Sequence, residues 1–173
     1  MHEKTAELII DDSERESDLL WASGFLAVDQ FTWLRDSRGS AIMLTDLELG
    51  RGEKESRVDE VISLSAVEKS AREVKGGEPC SFEEIVLQLL KSRNIERVEV
   101  PSRFPLMIAD FLRSGGIEVV ARENPFFSDR RIKRADEIRC LEESQAATEE
   151  AMALAIRLIS NSEPGPDGVL QLD

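Results

Sequence analysis

The stretch from Ser81 to Ala121 constrains the fold more than any other part of the chain. Ser81-Phe82-Glu83-Glu84 is a capping box, in which the serine hydroxyl and the Glu84 carboxylate take up free N–H groups at a helix start. Ile85, Val86, Leu89 and Leu90 then recur at helical spacing, and the pattern stops near Asn94. Residues 97–100 read as a strand closed by Pro101. A second helix opens near Pro105, allowed at a first helical position, and ends at Ser114-Gly115-Gly116. Residues 117–121 are the next strand. Helix, strand, helix, strand on links this short is the pattern of parallel strands joined by a right-handed crossover.

Upstream, residues 6–10 form an apolar run ended by Asp11-Asp12-Ser13, a strand. Leu19-Leu20-Trp21-Ala22 is a second apolar run, expected as a strand and ending at Ser23-Gly24-Phe25. Residues 31–35 and 41–45 are rich in β-formers and flank Asp36-Ser37-Arg38-Gly39-Ser40, an antiparallel hairpin. Residues 46–55 are polar and punctuated by Gly50 and Gly52, predicting a helical turn or a loop. Residues 58–64 suit a strand, residues 65–75 a short amphipathic helix, and Gly76-Gly77-Glu78-Pro79 breaks the chain. The expected fold class is therefore α/β. Its mixed sheet combines an N-terminal antiparallel hairpin with a parallel β-α-β unit, and helices pack on it.

A long C-terminal linker helix follows. After Asn124-Pro125-Phe126-Phe127-Ser128, the residues up to Ile159 hold neither Gly nor Pro and are rich in Ala, Glu, Leu and Arg. The first half is charged, with a narrow apolar line at Ile138, Leu141 and Ala147. The second half, Ala151-Met152-Ala153-Leu154-Ala155-Ile156-Arg157-Leu158-Ile159, is apolar almost all round, as in a buried helix. Only fourteen residues follow Ile159, and residues 160–168 are turn material. The helix is thus expected to lead into a second domain absent from this chain. Residues 1–128 are expected to form one domain and residues 129–173 the linker and first helix of the next. Left uncovered, Met152, Leu154, Ile156, Leu158 and Ile159 make an apolar patch that predicts self-association.

Composition narrows the chemistry. A net charge of −13 argues against nucleic acid or an anionic membrane as partner, because both need a basic surface. Two cysteines, Cys80 and Cys140, are too few for a disulfide framework and lack C-x-x-C spacing. With no secretory signal or membrane-length apolar run, the cytoplasm is the expected location. The single histidine, His2, is read as an exposed terminal residue, which leaves no H-E-x-x-H zinc helix and no histidine-based triad. Gly50-Arg51-Gly52 completes neither a dinucleotide fingerprint nor a phosphate loop. The acidic doublets Asp11-Asp12, Glu83-Glu84, Glu142-Glu143 and Glu149-Glu150 read as solvated surface. The residues by themselves predict a chain without catalytic, cofactor-binding or metal-ligating groups of its own.

Several stretches in order resemble the N-terminal domain of the creatinase/prolidase/aminopeptidase P family of Xaa-Pro metallopeptidases. Asp18-Leu19-Leu20-Trp21-Ala22-Ser23-Gly24-Phe25 is similar to that family's aromatic-x-Thr-Gly-Phe segment. Thr45-Asp46-Leu47-Glu48-Leu49-Gly50-Arg51 is similar to the segment after its hairpin. Val98-Glu99-Val100-Pro101 and the helix over residues 104–112 resemble its parallel unit. Arg130-Arg131-Ile132-Lys133-Arg134-Ala135-Asp136-Glu137-Ile138 resembles its Arg-x-x-Lys-Ser/Thr-Pro-x-Glu-Ile linker. Here Arg134 replaces the capping Ser/Thr and Ala135 the Pro, so the helix start is expected to fray.

The resemblance implies a two-domain peptidase whose second, pita-bread domain holds two divalent metals such as Mn, Co or Zn and cleaves proline-containing peptides. No position here matches those metal ligands, so this chain is expected to be inactive alone. The resemblance further implies a non-catalytic domain that builds a homo-oligomer, such as a dimer, and closes the substrate cleft. Phe25, Phe31, Trp33 and Arg35, taken as loop residues, are the candidates for that cleft or interface. Arg130, Lys133, Glu137 and Ile138 are the candidates for the interdomain linker. The alternative is a freestanding interaction module that docks its apolar C-terminal helix on another protein.

Overall fold

The computed structural model describes residues 4–171; the reading of His2 lies outside them. The chain divides into two compact units that meet between Arg130 and Arg131. In the first, six strands form one sheet in the order β4-β3-β2-β1-β5-β6. They are β1 (Thr5–Asp11), β2 (Phe31–Asp36), β3 (Gly39–Leu44), β4 (Glu60–Ser63), β5 (Arg97–Pro101) and β6 (Glu118–Arg122). The hairpin β2–β3 and the pair β1–β2 are antiparallel, whereas β1–β5, β5–β6 and β3–β4 are parallel. The mixed sheet is as expected from the sequence.

Alternation along the strands sends side chains to two covered faces. On one face Ala6, Leu8, Ile10, Leu34, Met43, Val98, Val100 and Val119 meet helices α4 (Phe82–Ser92) and α5 (Leu106–Ser114), with α3 (Leu64–Val74) at the edge. On the other, Ile9, Phe31, Trp33, Ile42 and Leu44 meet Leu19 of α1 (Ser17–Ser23), Phe25, Phe126 and Phe127. The result is three layers with β1 in the middle, which explains why Leu8, Ile9 and Ile10 are consecutive and all buried.

Two local expectations are corrected. Residues 17–23 form a helix rather than a strand: the Glu16 carboxylate accepts from the Asp18 N–H at 3.0 Å, and Gly24 closes the helix at φ 64°. Over so few residues an apolar run carries no decisive period. Residues 49–55 form α2 (Leu49–Glu55), about two turns rather than one turn or a loop. A Cβ at Gly52 would lie 2.5 Å from Leu44 Cδ1, so the glycine serves close helix–sheet packing rather than phosphate binding.

The capping box is present: Glu84 N–H reaches the Ser81 hydroxyl at 3.4 Å and Ser81 N–H reaches the Glu84 carboxylate at 2.7 Å. Lys75, donating to Glu84 at 2.7 Å, and the Ser81 N–H hold this carboxyl below its usual range. A carboxyl whose folded pKa is lowered stabilises above its unfolded pKa, and that contribution fades as pH falls through the folded value. Glu84→Gln is thus expected to lower the thermal midpoint at neutral pH and to match wild type in strong acid. A gap that persists unchanged in acid would contradict the linkage.

The second unit contains α6 (Ala135–Ser160), 26 residues and so about 39 Å long, and a short ribbon of β7 (Glu163–Pro164) and β8 (Leu170–Gln171). Among the described residues no helix is long and apolar enough to cross a membrane.

Candidate functional site: the joint and the surfaces beside it

The end of the first unit is fastened by residues far apart in sequence. Asp18, in the first turn of α1, is 4% exposed. One of its carboxylate oxygens accepts from the Phe126 N–H at 3.1 Å, and the other from the Arg130 guanidinium at 2.8 Å. Phe126 and Phe127, 0% and 6% exposed, plug the adjoining core. Phe127 stands edge-on to Trp33 with ring centroids 5.5 Å apart, and 5.3 Å from Trp21.

An ionic cluster surrounds this plug. Glu7, 7% exposed in β1, accepts from Arg35 of β2 at 2.5 Å and from Arg122 of β6 at 2.7 Å. Arg122 reaches across the intervening β5, where Glu99 lies 3.3 Å away. The two guanidinium groups also cover aromatic faces, Arg35 over Phe127 at 5.2 Å and Arg122 over Phe126 at 4.6 Å. A buried glutamate shared by two arginines, each lying over an aromatic ring, is a clamp that ties β1, β2 and β6 to the plug.

Phe25, Phe31 and Trp33 are 0%, 4% and 1% exposed and lie in the core, not on cleft loops. The physical reason is that Phe31 and Trp33 alternate onto the sheet face covered by α1 and the Phe126-Phe127 plug. Arg35, the fourth candidate, keeps part of its side chain at the surface while bonded to Glu7. Elsewhere in the same unit, Arg51 of α2 lies over Phe25 at 5.0 Å and donates to the Leu26 carbonyl at 3.1 Å. Exposed Leu26 and Val28 border a groove of about 190 Å³ there.

Of the linker candidates, Arg130 is held by Asp18, while Lys133 is exposed. Arg134 has no acceptor to give the helix start, but Glu137 supplies the reverse half of a capping box. Its carboxylate accepts from the Arg134 N–H at 2.8 Å and from the Arg134 guanidinium at 3.2 Å. The start of α6 is therefore better tied than the missing Ser/Thr cap predicts. Ile138 is 45% exposed.

Further along α6, Met152, Leu154, Ile156, Leu158 and Ile159 are between 42% and 63% exposed. At 100° per residue, Met152, Ile156 and Ile159 fall in one stripe about 60° wide, with Leu154 and Leu158 on the far side. One flat docking surface covers only one of these stripes.

Among the described residues no three His, Cys, Asp or Glu side chains are placed to hold a metal. The described residues thus do not fit the metal pair that the family resemblance implies for the peptidase. Sequence reasoning missed Asp18 and Glu7 as organising residues. A carboxylate inside an apolar strand, as in Ala6-Glu7-Leu8, is the one signal that a buried partner was required, but it does not name Arg35 or Arg122.

No protein-family model matches the sequence, and no curated protein matches it either. The architecture itself defines a class: it is the fold found in part of solved Xaa-Pro peptidases. Prolidase from Pyrococcus furiosus is similar over 94% of this chain and 42% of that one, with TM-score 0.63 and 16% identity. The X-Pro aminopeptidase from Thermotoga maritima gives TM-score 0.68 at 11% identity over 93% of this chain and 43% of that one. The Xaa-Pro dipeptidase from Bacillus anthracis gives 0.64 at 13% identity over 86% and 38%. At these identities the likeness is one of fold. The chain spans about two fifths of the length of these proteins.

Proposed function

We propose that this chain is the non-catalytic N-terminal domain of an Xaa-Pro peptidase of the prolidase/aminopeptidase P kind, joined through α6 to a catalytic domain. One observation carries the reading. The fold match covers 94% of this chain but only 42% of the prolidase, so the larger part of that enzyme has no counterpart here. The linker resemblance at residues 130–138 supports the same reading, as do the apolar stripes on two sides of α6, which need more cover than a single docking face.

In this reading the parent protein hydrolyses bonds before proline with two divalent metals held by the catalytic domain. The first unit serves oligomerisation, as a dimer, and closure of the substrate cleft. Arg35 and the exposed Leu26 and Val28 are the residues of that unit assigned to these roles here. The purified chain, supplied with Mn²⁺ or Co²⁺, is expected to leave Xaa-Pro dipeptides uncleaved. Robust turnover by the chain alone would overturn the reading.

A further inference from the structure

We propose that two copies of this chain pair along the free edge of β6, antiparallel, with Glu118 of each copy opposite Arg122 of the other. Among the described residues β6 ends the sheet and pairs with β5 alone. The Glu118 N–H turns inward, donating to the Glu96 carbonyl at the start of β5 at 2.8 Å. Backbone groups alternate along a strand, so Glu118, Val120 and Arg122 address β5, and Val119 and Ala121 turn their N–H and C=O groups outward. The Arg113 guanidinium of α5 agrees with this, donating to the Val119 carbonyl at 3.3 Å. It takes one lone pair of that carbonyl and leaves the second.

An edge with unpaired amides and carbonyls is a template for another strand. The sequence of β6, Glu118-Val119-Val120-Ala121-Arg122, is complementary to its own reverse. Antiparallel pairing about a two-fold axis at Val120 sets Val119 against Ala121, so the outward groups of the two copies exchange bonds. The same register sets Glu118 against Arg122 at both ends. A shift of two residues, the smallest that the alternation allows, leaves both charges without an opposite. The Glu118 and Arg122 side chains share one sheet face and are 59% and 38% exposed. Within each copy Glu118 holds Arg97 and Arg122 holds Glu7, so pairing joins two ion chains end to end. The opposite edge strand, β4, carries one acid and no base and offers no such match.

A five-residue strand is small beside a stable interface of about 1,600 Å². Leu106 and Met107, 69% and 80% exposed on the helix whose Arg113 reaches this edge, give a paired copy apolar surface to cover. The dimer is therefore expected to be weak and concentration-dependent. The proposal rests on the reading above only for the expectation of a dimer, and its readouts are association and cross-linking. If the edge fails, the peptidase reading stands, and turnover by the chain alone would leave this surface untouched.

The test uses the full chain carrying Cys80→Ser and Cys140→Ser, so that no native thiol interferes. Val120→Cys then meets its own mate across the axis. It is expected to form a disulfide-linked dimer under mild oxidation at least about tenfold faster than Ala121→Cys, whose opposite is Val119. Ala121→Pro removes an outward N–H and no bond to β5. In sedimentation it is expected to lower the association constant at least about tenfold. Glu118→Lys sets a second cation against Arg122 and is expected to weaken association too, which keeps the test available if the proline variant fails to fold. A chain that sediments as a monomer at every concentration would overturn the proposal. So would association that Ala121→Pro and Glu118→Lys both leave unchanged, the result expected if the apolar stripes of α6 hold the copies together.

Discussion

Trp33→Ala is expected to destabilise the first unit by about 4 kcal/mol, the size typical of deleting a fully buried large aromatic. Trp33 is 1% exposed, lies between Ile9 and Ile42 in the register of β1, β2 and β3, and meets Phe127 edge-on at 5.5 Å. Its loss opens a cavity against the plug and removes one of the two rings beneath the Arg35 guanidinium. The consequence reaches the joint, because Phe127 directly precedes the turn that ends the unit. Urea unfolding checks the size of the effect, and Trp33→Phe, which refills most of the cavity, is expected to cost less than half as much. A cost below about 1 kcal/mol for Trp33→Ala would mean that the plug does not rest on this ring.

Asp36→Ala is expected to cost about 3 kcal/mol, for an electrostatic reason rather than a packing one. The Asp36 carboxylate, 1% exposed at the end of β2, accepts from the Arg93 guanidinium at 3.2 Å and the Arg38 N–H at 2.7 Å. Arg93, at the end of α4, has a side chain only 6% exposed and bonds also to Glu60 of β4. Removing Asp36 leaves a buried cation with one partner, itself half in solvent. The remaining Glu60 bond puts the expected cost at the low end for breaking a buried pair. The double variant Asp36→Ala/Arg93→Met removes the stranded charge as well and is expected to be more stable than Asp36→Ala alone. Denaturant midpoints of the four proteins in this cycle decide it, and strict additivity would show that the two residues do not interact.

The elements legible in the sequence are those whose signals are local. Ser81 and Glu84 announce a helix start because both halves of a capping box lie within four residues. The hairpin was legible because Gly39, at φ 123° and with Asp59 where a Cβ would stand, punctuates two runs of β-formers. Where the signal is short or cooperative, reading fails. Residues 17–23 look like a strand until Glu16 and Gly24 are seen to close a helix at either end. Phe25, Phe31 and Trp33 read from the sequence as core or interface aromatics, and only α1 and Phe126 folded over them decide for the core. The helix start at Arg134 looks uncapped until Glu137 turns back on it.

The sequence by itself determined the order and type of most elements, the crossover between β5 and β6, and the 26-residue helix with its two apolar stripes. These follow from periodicity, breakers and caps, which act over a turn or two of chain. Only the tertiary structure decided that Glu7 is shared by Arg35 and Arg122, that Arg93 joins Asp36 to Glu60, and that Asp18 holds Phe126 and Arg130. Each of those partnerships spans between 28 and 115 residues. Strand register and layer stacking bring such groups together, and a carboxylate carries no mark of which arginine will reach it.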